Sequence, residues 1–455
     1  MLSAPLMSSN SLRPGRAKRP VTPLAGTIRV PGDKSISHRA IMLASLAVGE
    51  TQVTGLLEGE DVLRTVAAMR ALGAEIIHEA CGQWRVAGVG LGALRDPDDV
   101  LDMGNSGTAA RLLCGILASH DLFAVLTGDA SLRRRPMRRV IEPLTGTGAR
   151  FSARAGDRLP LAIHGTAESL PLTYCLPVAS AQVKSALLLA GLNSRGVTEI
   201  EEPQRTRDHT ENMLRHFGAS LRVEAHGGGR MIQLVGQPEL TAADVIVPGD
   251  PSSAAFPVVA ALSIPGSRLT IERVGVNPLR TGLFTTLREM GADLVMANVC
   301  EAGGELLADL IVTASDLHGV DVPAERAPSM IDEYPILAIA CAVARGRSRL
   351  RGLGELRLKE SDRLTAVANM LRANGVAVII DEDDLVITGG VASLGGGVVT
   401  THMDHRVAMS ALVLGLAAHQ PVTIDDSRFI DTSFPGFIEL MNKIGGSIET
   451  WGGNT

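Results

Sequence analysis

Aromatic residues make up only 3% of this 455-residue chain, and the formal net charge is −6. A general nucleic-acid binder needs a basic balance and stacking rings, so that class is excluded and no nucleic-acid partner is expected. Cysteine is sparse: Cys81, Cys114, Cys175, Cys300 and Cys341 are odd in number and show no Cys-x-x-Cys spacing. Neither a disulfide framework nor a zinc site is expected, and the thiols read as reduced, in a cytoplasmic setting. No apolar run reaches the roughly 18 residues of a membrane helix, so no membrane partner is expected. Walker, Gly-x-Ser-x-Gly and His-Glu-x-x-His motifs are missing, as is a Gly-x-Gly-x-x-Gly with its acidic ribose ligand. The chain therefore signals no metal or organic cofactor. Acidic residues are absent from residues 1–20, which carry Arg13, Arg16, Lys18 and Arg19 and read as a disordered tail.

What the chain does have is repetition. An amphipathic helix ending in Gly plus a small residue, followed by a β-branched strand, recurs six times. The copies close at Gly73-Ala74, Gly148-Ala149, Gly218-Ala219, Gly291-Ala292, Gly375-Val376 and Gly445-Gly446. The glycine is a helix stop and the run after it a strand. Between these phrases a polar turn opens an apolar, small-residue helix, at Asp33-Lys34, Asn105-Ser106, Ser180-Ala181, Asp250-Pro251, Ile331-Asp332 and Asp404-His405. Asp, Asn and Ser cap helix N-termini, which present unpaired N–H groups and a positive dipole end to anions.

Val30-Pro31-Gly32-Asp33 returns as Val247-Pro248-Gly249-Asp250 and divides the molecule into halves of three units. The fold class is α/β with a sixfold pseudo-repeat. Runs such as Leu187–Ala190 and Ile336–Ala340 are apolar nearly all round, so these helices are expected inside each half, faced by sheet.

Cations gather at the turns: Lys34 and Arg39 at the first, Arg111 at the second, Lys184 at the third, and Arg207, Arg363 and Arg406 near later ones; the fourth turn has none nearby. A cation in the first turn of a helix opposes the dipole unless solvent or an anion intervenes, and recurrence favours a shared anion. The run Arg133–Arg139 reads either as a solvated face or as a fixed loop with one functional arginine and the rest at the surface. Two carboxylates stand out. Asp332 either caps the helix Glu333–Ala342 or reaches a cation-lined cleft, and Glu360 either pairs with Arg363 three residues on or does the same. In a cleft they become proton-transfer candidates. His38, His209 and His405 each stand near an arginine without metal-ligand spacing and read as structural.

Gly32–Arg39, Gly104–Arg111, Gly128–Leu132 with Arg135-Pro136-Met137, Ser180–Ser185, Asp332–Pro335 and Lys359–Arg363 closely resemble, in order, the motifs of the EPSP synthase (3-phosphoshikimate 1-carboxyvinyltransferase) family. The resemblance runs from about residue 22 to 450. It implies an enolpyruvyl transferase fold, an inside-out α/β barrel arrangement of two domains each of three βαβαββ units. Residues 1–32 with 248–455 would form one domain and 33–247 the other, with the active site in the cleft between them. It implies transfer of the enolpyruvyl group of phosphoenolpyruvate to the 5-hydroxyl of shikimate 3-phosphate, on the route to chorismate and aromatic amino acids, by a monomer without cofactor.

By resemblance, Lys34, Ser35, Arg39, Ser180, Ala181, Gln182, Arg207, Asp332 and Lys359 hold shikimate 3-phosphate. Lys34, Gly107, Arg135, Gln182, Arg363 and Arg406 face phosphoenolpyruvate, and Lys34, Asp332 and Glu360 carry catalysis. Arg207-Asp208-His209-Thr210-Glu211, and Thr432 where many members have lysine, resemble the second sequence class, often glyphosate-tolerant. Gly107, however, stands where some tolerant forms have alanine. Opposed cations are expected to hold an empty cleft open. The alternatives are the related transferase acting on UDP-N-acetylglucosamine, disfavoured by Lys34-Ser35 and by the placement of the cysteines, and a non-catalytic anion-binding relative.

Overall fold

Small-residue helices alternating with β-branched segments build six four-stranded sheets. The structure, a computed structural model, describes residues 12–452. Two helices serve each repeat. In chain order they are α1 (Lys34–Leu46) and α2 (Glu60–Ala71), α3 (Gly107–Ala118) and α4 (Arg138–Leu144), α5 (Ala181–Gly191) and α6 (His209–His216). The second half supplies α7 (Pro251–Ser263) and α8 (Gly282–Glu289), α9 (Tyr334–Val343) and α10 (Arg363–Ala373), α11 (His405–Ala417) and α12 (Phe437–Lys443). The odd-numbered helices are the buried ones; α11 is buried along its whole length. Alanine and glycine let them approach closely, and α7, α9 and α11 pack on one another as α3 does on α5.

The predicted helix stops are in place. All six glycines take positive φ, from +82° at Gly375 to +112° at Gly73. At Gly291 the N–H bonds Arg288 O at 2.9 Å and the Ala292 N–H bonds Leu287 O at 3.0 Å, satisfying carbonyls the ending helix leaves open. A side chain at that φ would be strained.

In five of the six sheets a parallel pair meets an antiparallel hairpin, as in Leu101–Asp102, Phe123–Thr127, Arg158–His164 and Arg150–Arg154. The first and fourth units exchange their leading strands. Val245–Ile246 pairs with Val48–Thr54, while Ala25–Ile28 pairs with Arg268–Gly275. Gly15–Ala17 lies between Val422–Ile424 and Ile448–Thr450 and completes the sixth sheet. This corrects the reading of residues 1–20 as a disordered tail. The backbone of 15–17 is taken up on both edges, and Ala17 is fully buried beside Gly415 of α11; residues 1–11 lie outside the described residues.

Buried apolar side chains form two clusters, one drawn from residues 36–247 and one from 17–30 together with 254–448. The two crossings between them bond to each other: Asp33 N donates to Pro248 O at 2.8 Å and Asp250 N to Pro31 O at 2.9 Å. Gly32 is needed for this approach, because a Cβ there would lie 2.0 Å from Gly55 O. Among the described residues no helix is long and apolar enough to cross a membrane.

Candidate active site

The central helices start at the predicted turns. Asp33, Ser106, Ser180, Asp250 and Asp404 each accept a backbone N–H from the first turn of α1, α3, α5, α7 and α11. The fifth helix differs. Its N-cap is Glu333, without a capping bond, and Asp332 does not cap it. Of the two sequence readings for Asp332, capping is not observed; the carboxylate meets cations instead.

Asp332 gathers four cations. Lys359 Nζ and Arg363 Nη1 each lie 3.4 Å from its Oδ1, Arg207 Nη2 closes on Oδ2, and Arg406 Nη1 donates to its carbonyl at 3.0 Å. Glu360 pairs with Arg363 Nη2 and has Arg135 Nη1 at 3.7 Å. The local Glu360–Arg363 pairing is thus observed together with a cation from the other half. Arg363, fully buried, is itself fixed by Asp404, whose Oδ2 accepts its Nε–H at 2.8 Å. Arg207 and Arg135 precede the second crossing and their carboxylate partners follow it, so these pairs bridge the two core clusters.

Burial by itself would raise both carboxyls. Lys359, Arg207, Arg406 and Arg363 outweigh it at Asp332, and Arg363, Arg135, His405 and Lys34 outweigh it at Glu360. Both sit well below the usual carboxylate range and are ionised at neutral pH. Of the cations expected to face one another, Arg135 and Arg207 are met by carboxylates from the other half.

Lys34 Nζ reaches neither Asp332 nor Glu360 but bonds Asp61 Oδ2 at 3.1 Å; burial raises the Asp61 carboxyl despite that contact. Arg39 is held by hydroxyls, with Nε donating to Thr210 Oγ1 and Nη2 to Ser185 Oγ, both at 2.7 Å, and Nη1 to Ser35 O at 2.8 Å. Burial lowers its guanidinium to about 10. Ser180 and Ala181 begin α5, and Gln182 reaches back to α3, giving Nε2–H to Thr108 Oγ1 at 3.0 Å and accepting from Arg111 Nη1 at 3.2 Å. Gly107 opens α3 beside Arg111 and Arg135. In the arginine run Arg135 turns inward to Asn105 Oδ1 at 2.8 Å while Arg133, Arg134, Arg138 and Arg139 are exposed.

Lys184 overturns its expectation. It does not join the cation-lined turns: it is fully buried inside its own half, 2.8 Å from Glu202 and 2.7 Å from Glu211. Two positions beyond Gln182 on α5, its side chain points to the opposite face of the helix. The histidines are structural in geometry, with His38 on Thr65, His209 on Glu305, and His405 pushed down to about 3 chiefly by burial.

The sequence reading missed Asp61, Glu333 and Arg280, and saw Asp404 as a cap but not as the partner of Arg363. Asp61 sits in the first turn of α2, where the dipole alone accounts for an acid. Arg280 gives the fourth turn its cation from 28 residues away, donating to Ser252 Oγ at 2.7 Å. No local signal marks it.

A model of the EPSP synthase (3-phosphoshikimate 1-carboxyvinyltransferase) family matches residues 18–441. The chain belongs to the EPSP synthase family. The 3-phosphoshikimate 1-carboxyvinyltransferase of Acidiphilium cryptum is 73% identical over 436 residues, covering 96% of this chain and 98% of that protein. That of Granulibacter bethesdensis is 66% identical over 443 residues, with 96% and 98% covered. The EPSP synthase structure from Acinetobacter baumannii superposes with a TM-score of 0.86 at 43% identity, covering 97% of this chain and all of that one. The EPSP synthase match spans both crossings and every candidate from Lys34 to Arg406.

Proposed function

We propose that the protein transfers the enolpyruvyl group of phosphoenolpyruvate to the 5-hydroxyl of shikimate 3-phosphate, releasing phosphate and forming 5-enolpyruvylshikimate 3-phosphate. The observation that carries this reading is the meeting of Asp332 and Glu360 on one buried arginine, Arg363, with cations from both halves around them. Two multiply anionic substrates repel each other, and such a cation set offsets that repulsion and their desolvation.

In this reading Lys34, Ser35, Arg39, Ser180, Ala181, Gln182, Arg207 and Lys359 receive shikimate 3-phosphate beside Asp332. Lys34, Gly107, Arg135, Gln182, Arg363 and Arg406 receive phosphoenolpyruvate. The ionised Asp332 accepts the 5-hydroxyl proton as the oxygen bonds C2, and Glu360 gives a proton to C3, turning methylene into methyl. The tetrahedral intermediate then expels phosphate from C2 as C3 returns a proton. Lys34 and the arginines offset the negative charge as it moves. Glu360 must be protonated for the first step. The anionic groups of phosphoenolpyruvate supply the means, because each arginine they engage is withdrawn from Glu360 and its affinity for a proton rises.

The halves 1–32 with 248–455 and 33–247 act as two domains about the paired crossings, and the protein works as a cytoplasmic monomer without cofactor. Separate core clusters and the mutual bonds of the crossings support the division. The test is phosphate release by purified protein given phosphoenolpyruvate with shikimate 3-phosphate, beside a reaction with UDP-N-acetylglucosamine. Release with the first acceptor alone is expected. Release with the second would move the chain to the related transferase, and binding without release would make it an anion-binding relative.

A further inference from the structure

Glu333 stands at the N-cap of α9 yet caps nothing in its own helix. Its Oε1 instead receives the hydroxyl of Ser252, in the first turn of α7, and lies 3.5 Å from Nη1 of Arg406, in the first turn of α11. One carboxylate, 2% exposed, thus joins the N-termini of three central helices, where their dipoles favour negative charge. Ser252 has a single hydroxyl proton. Having given it to Glu333, its oxygen accepts from Arg280 Nη2 at 2.7 Å, and that nitrogen also reaches Asp250 Oδ1 at 3.3 Å. Asp250 Oδ2 in turn accepts the backbone N–H of Lys34 at 3.3 Å. A continuous polar line therefore runs from the first residue of α1, across the crossing, to Arg406.

We propose that Glu333 is a positioning residue for Arg406, and that Ser252 and Arg280 hold Glu333 in the orientation that aims it. The inference rests on the reading that Arg406 faces phosphoenolpyruvate. Arg406 spends only Nη1 on the protein, on Asp332 O and Glu333 Oε1; its Nε and Nη2 meet no side-chain or backbone acceptor among the described residues. A guanidinium is planar and its donors form a rigid fork, so fixing Nη1 fixes the direction of the other two. A carboxylate or phosphoryl group meeting that fork finds it already oriented. Without Glu333 the guanidinium keeps a single hydrogen-bonded anchor, the Asp332 carbonyl, and swivels about it.

The experiment is a double-mutant cycle between Glu333→Gln and Arg406→Ala, read as KM for each substrate at saturation of the other, kcat and the thermal midpoint. Glu333→Gln is expected to raise the KM for phosphoenolpyruvate about tenfold and to leave that for shikimate 3-phosphate unchanged. In the Arg406→Ala background it is expected to add no further loss. Ser252→Ala, which removes the donor without touching a charge, carries the same expectation and replaces Glu333→Gln if that variant does not fold. Equal rises in both KM values, or effects that multiply across the cycle, would overturn the proposal and leave Glu333 a packing residue. An Arg406→Ala enzyme with an unaltered KM for phosphoenolpyruvate would remove the reading of Arg406 itself, and the proposal with it.

Discussion

Arg135 Nη1 lies 3.7 Å from Glu360 Oε1, the two residues coming from opposite sides of the second crossing, and Arg363 closes on the carboxylate from the other side. Glu360 is thereby clamped in its ionised form, opposite to the form an acid needs. Replacing Glu360 by Gln preserves size while removing the titratable carboxyl and one of the two oxygens that face Arg363 and Arg135. Turnover is expected to fall by about 10²- to 10⁴-fold with little change in the KM for shikimate 3-phosphate. Steady-state kinetics checks this, and unchanged turnover would strip Glu360 of its role.

The same clamp predicts a proton inventory. The arginines lower the Glu360 carboxyl in the free protein, and anions that engage them let it rise. The bound complex therefore holds more protons than the free one, and phosphoenolpyruvate binding in the presence of shikimate 3-phosphate takes protons from solvent. Calorimetric titration of a turnover-deficient Asp332→Asn enzyme, in buffers of different ionisation enthalpy, measures the number. It should drop when Glu360→Gln is added.

Gly107 tests how closely α3 approaches the arginines. A Cβ there would lie 2.6 Å from Arg111 Nη1 and 3.2 Å from Arg135 Nη1. Both contacts are the far ends of flexible side chains, so Gly107→Ala is expected to fold normally and to raise the KM for phosphoenolpyruvate by displacing Arg135. Equal thermal midpoints with unequal KM values are the expected outcome.

Lys184 is expected to act on stability and not on binding. Lys184→Met leaves Glu202 and Glu211 buried without their shared cation, at a cost of about 3–5 kcal/mol. Glu202 keeps Arg230, with Nη2 at 2.9 Å, which puts the loss toward the lower end. Chemical denaturation measures it. A higher KM with no loss of stability would return Lys184 to the cleft.

Acid sensitivity is expected at a contact between residues given no role in the chemistry. Burial raises the Glu305 carboxyl, but His209 and hydrogen bonds from Asn277 and Asn212 outweigh it, so the folded value lies below the ordinary 4.5. The unfolded chain then binds more protons between the two values. The stabilisation is complete above pH 4.5 and is lost as pH falls from there through the folded value. Melting from about pH 6 to about pH 3 should show a flatter acid limb for Glu305→Gln than for the unaltered protein.

Legibility in the sequence followed the range of the interaction. Gly291 and its five counterparts could be read because a helix stop is decided by the φ of one residue, and Ser180 or Asp404 because a cap bonds only two or three residues ahead. The strand exchange between Ala25–Ile28 and Val245–Ile246 could not, since nothing local distinguishes a strand that leaves its unit from one that stays. Spacing left the arginine run open between a solvated face and a fixed loop, and the fold turns Arg135 alone inward. Lys184 was misread, because spacing says which face of a helix a cation occupies and not whether that face meets substrate or a buried Glu202.

By itself, the sequence determined the repeat, its helix starts and stops, the two crossings and the family, all carried by short-range backbone preferences and contiguous motifs. Tertiary structure alone decided how the charges are shared: Asp332 with Arg207, Glu360 with Arg135, Lys34 with Asp61, and Arg280 with Ser252 and Asp250. Those pairings depend on through-space distance and on burial, which set both the strength of an ion pair and the protonation of its members. Neither quantity exists until the chain has folded, and for Asp332 and Glu360 until the two halves face each other.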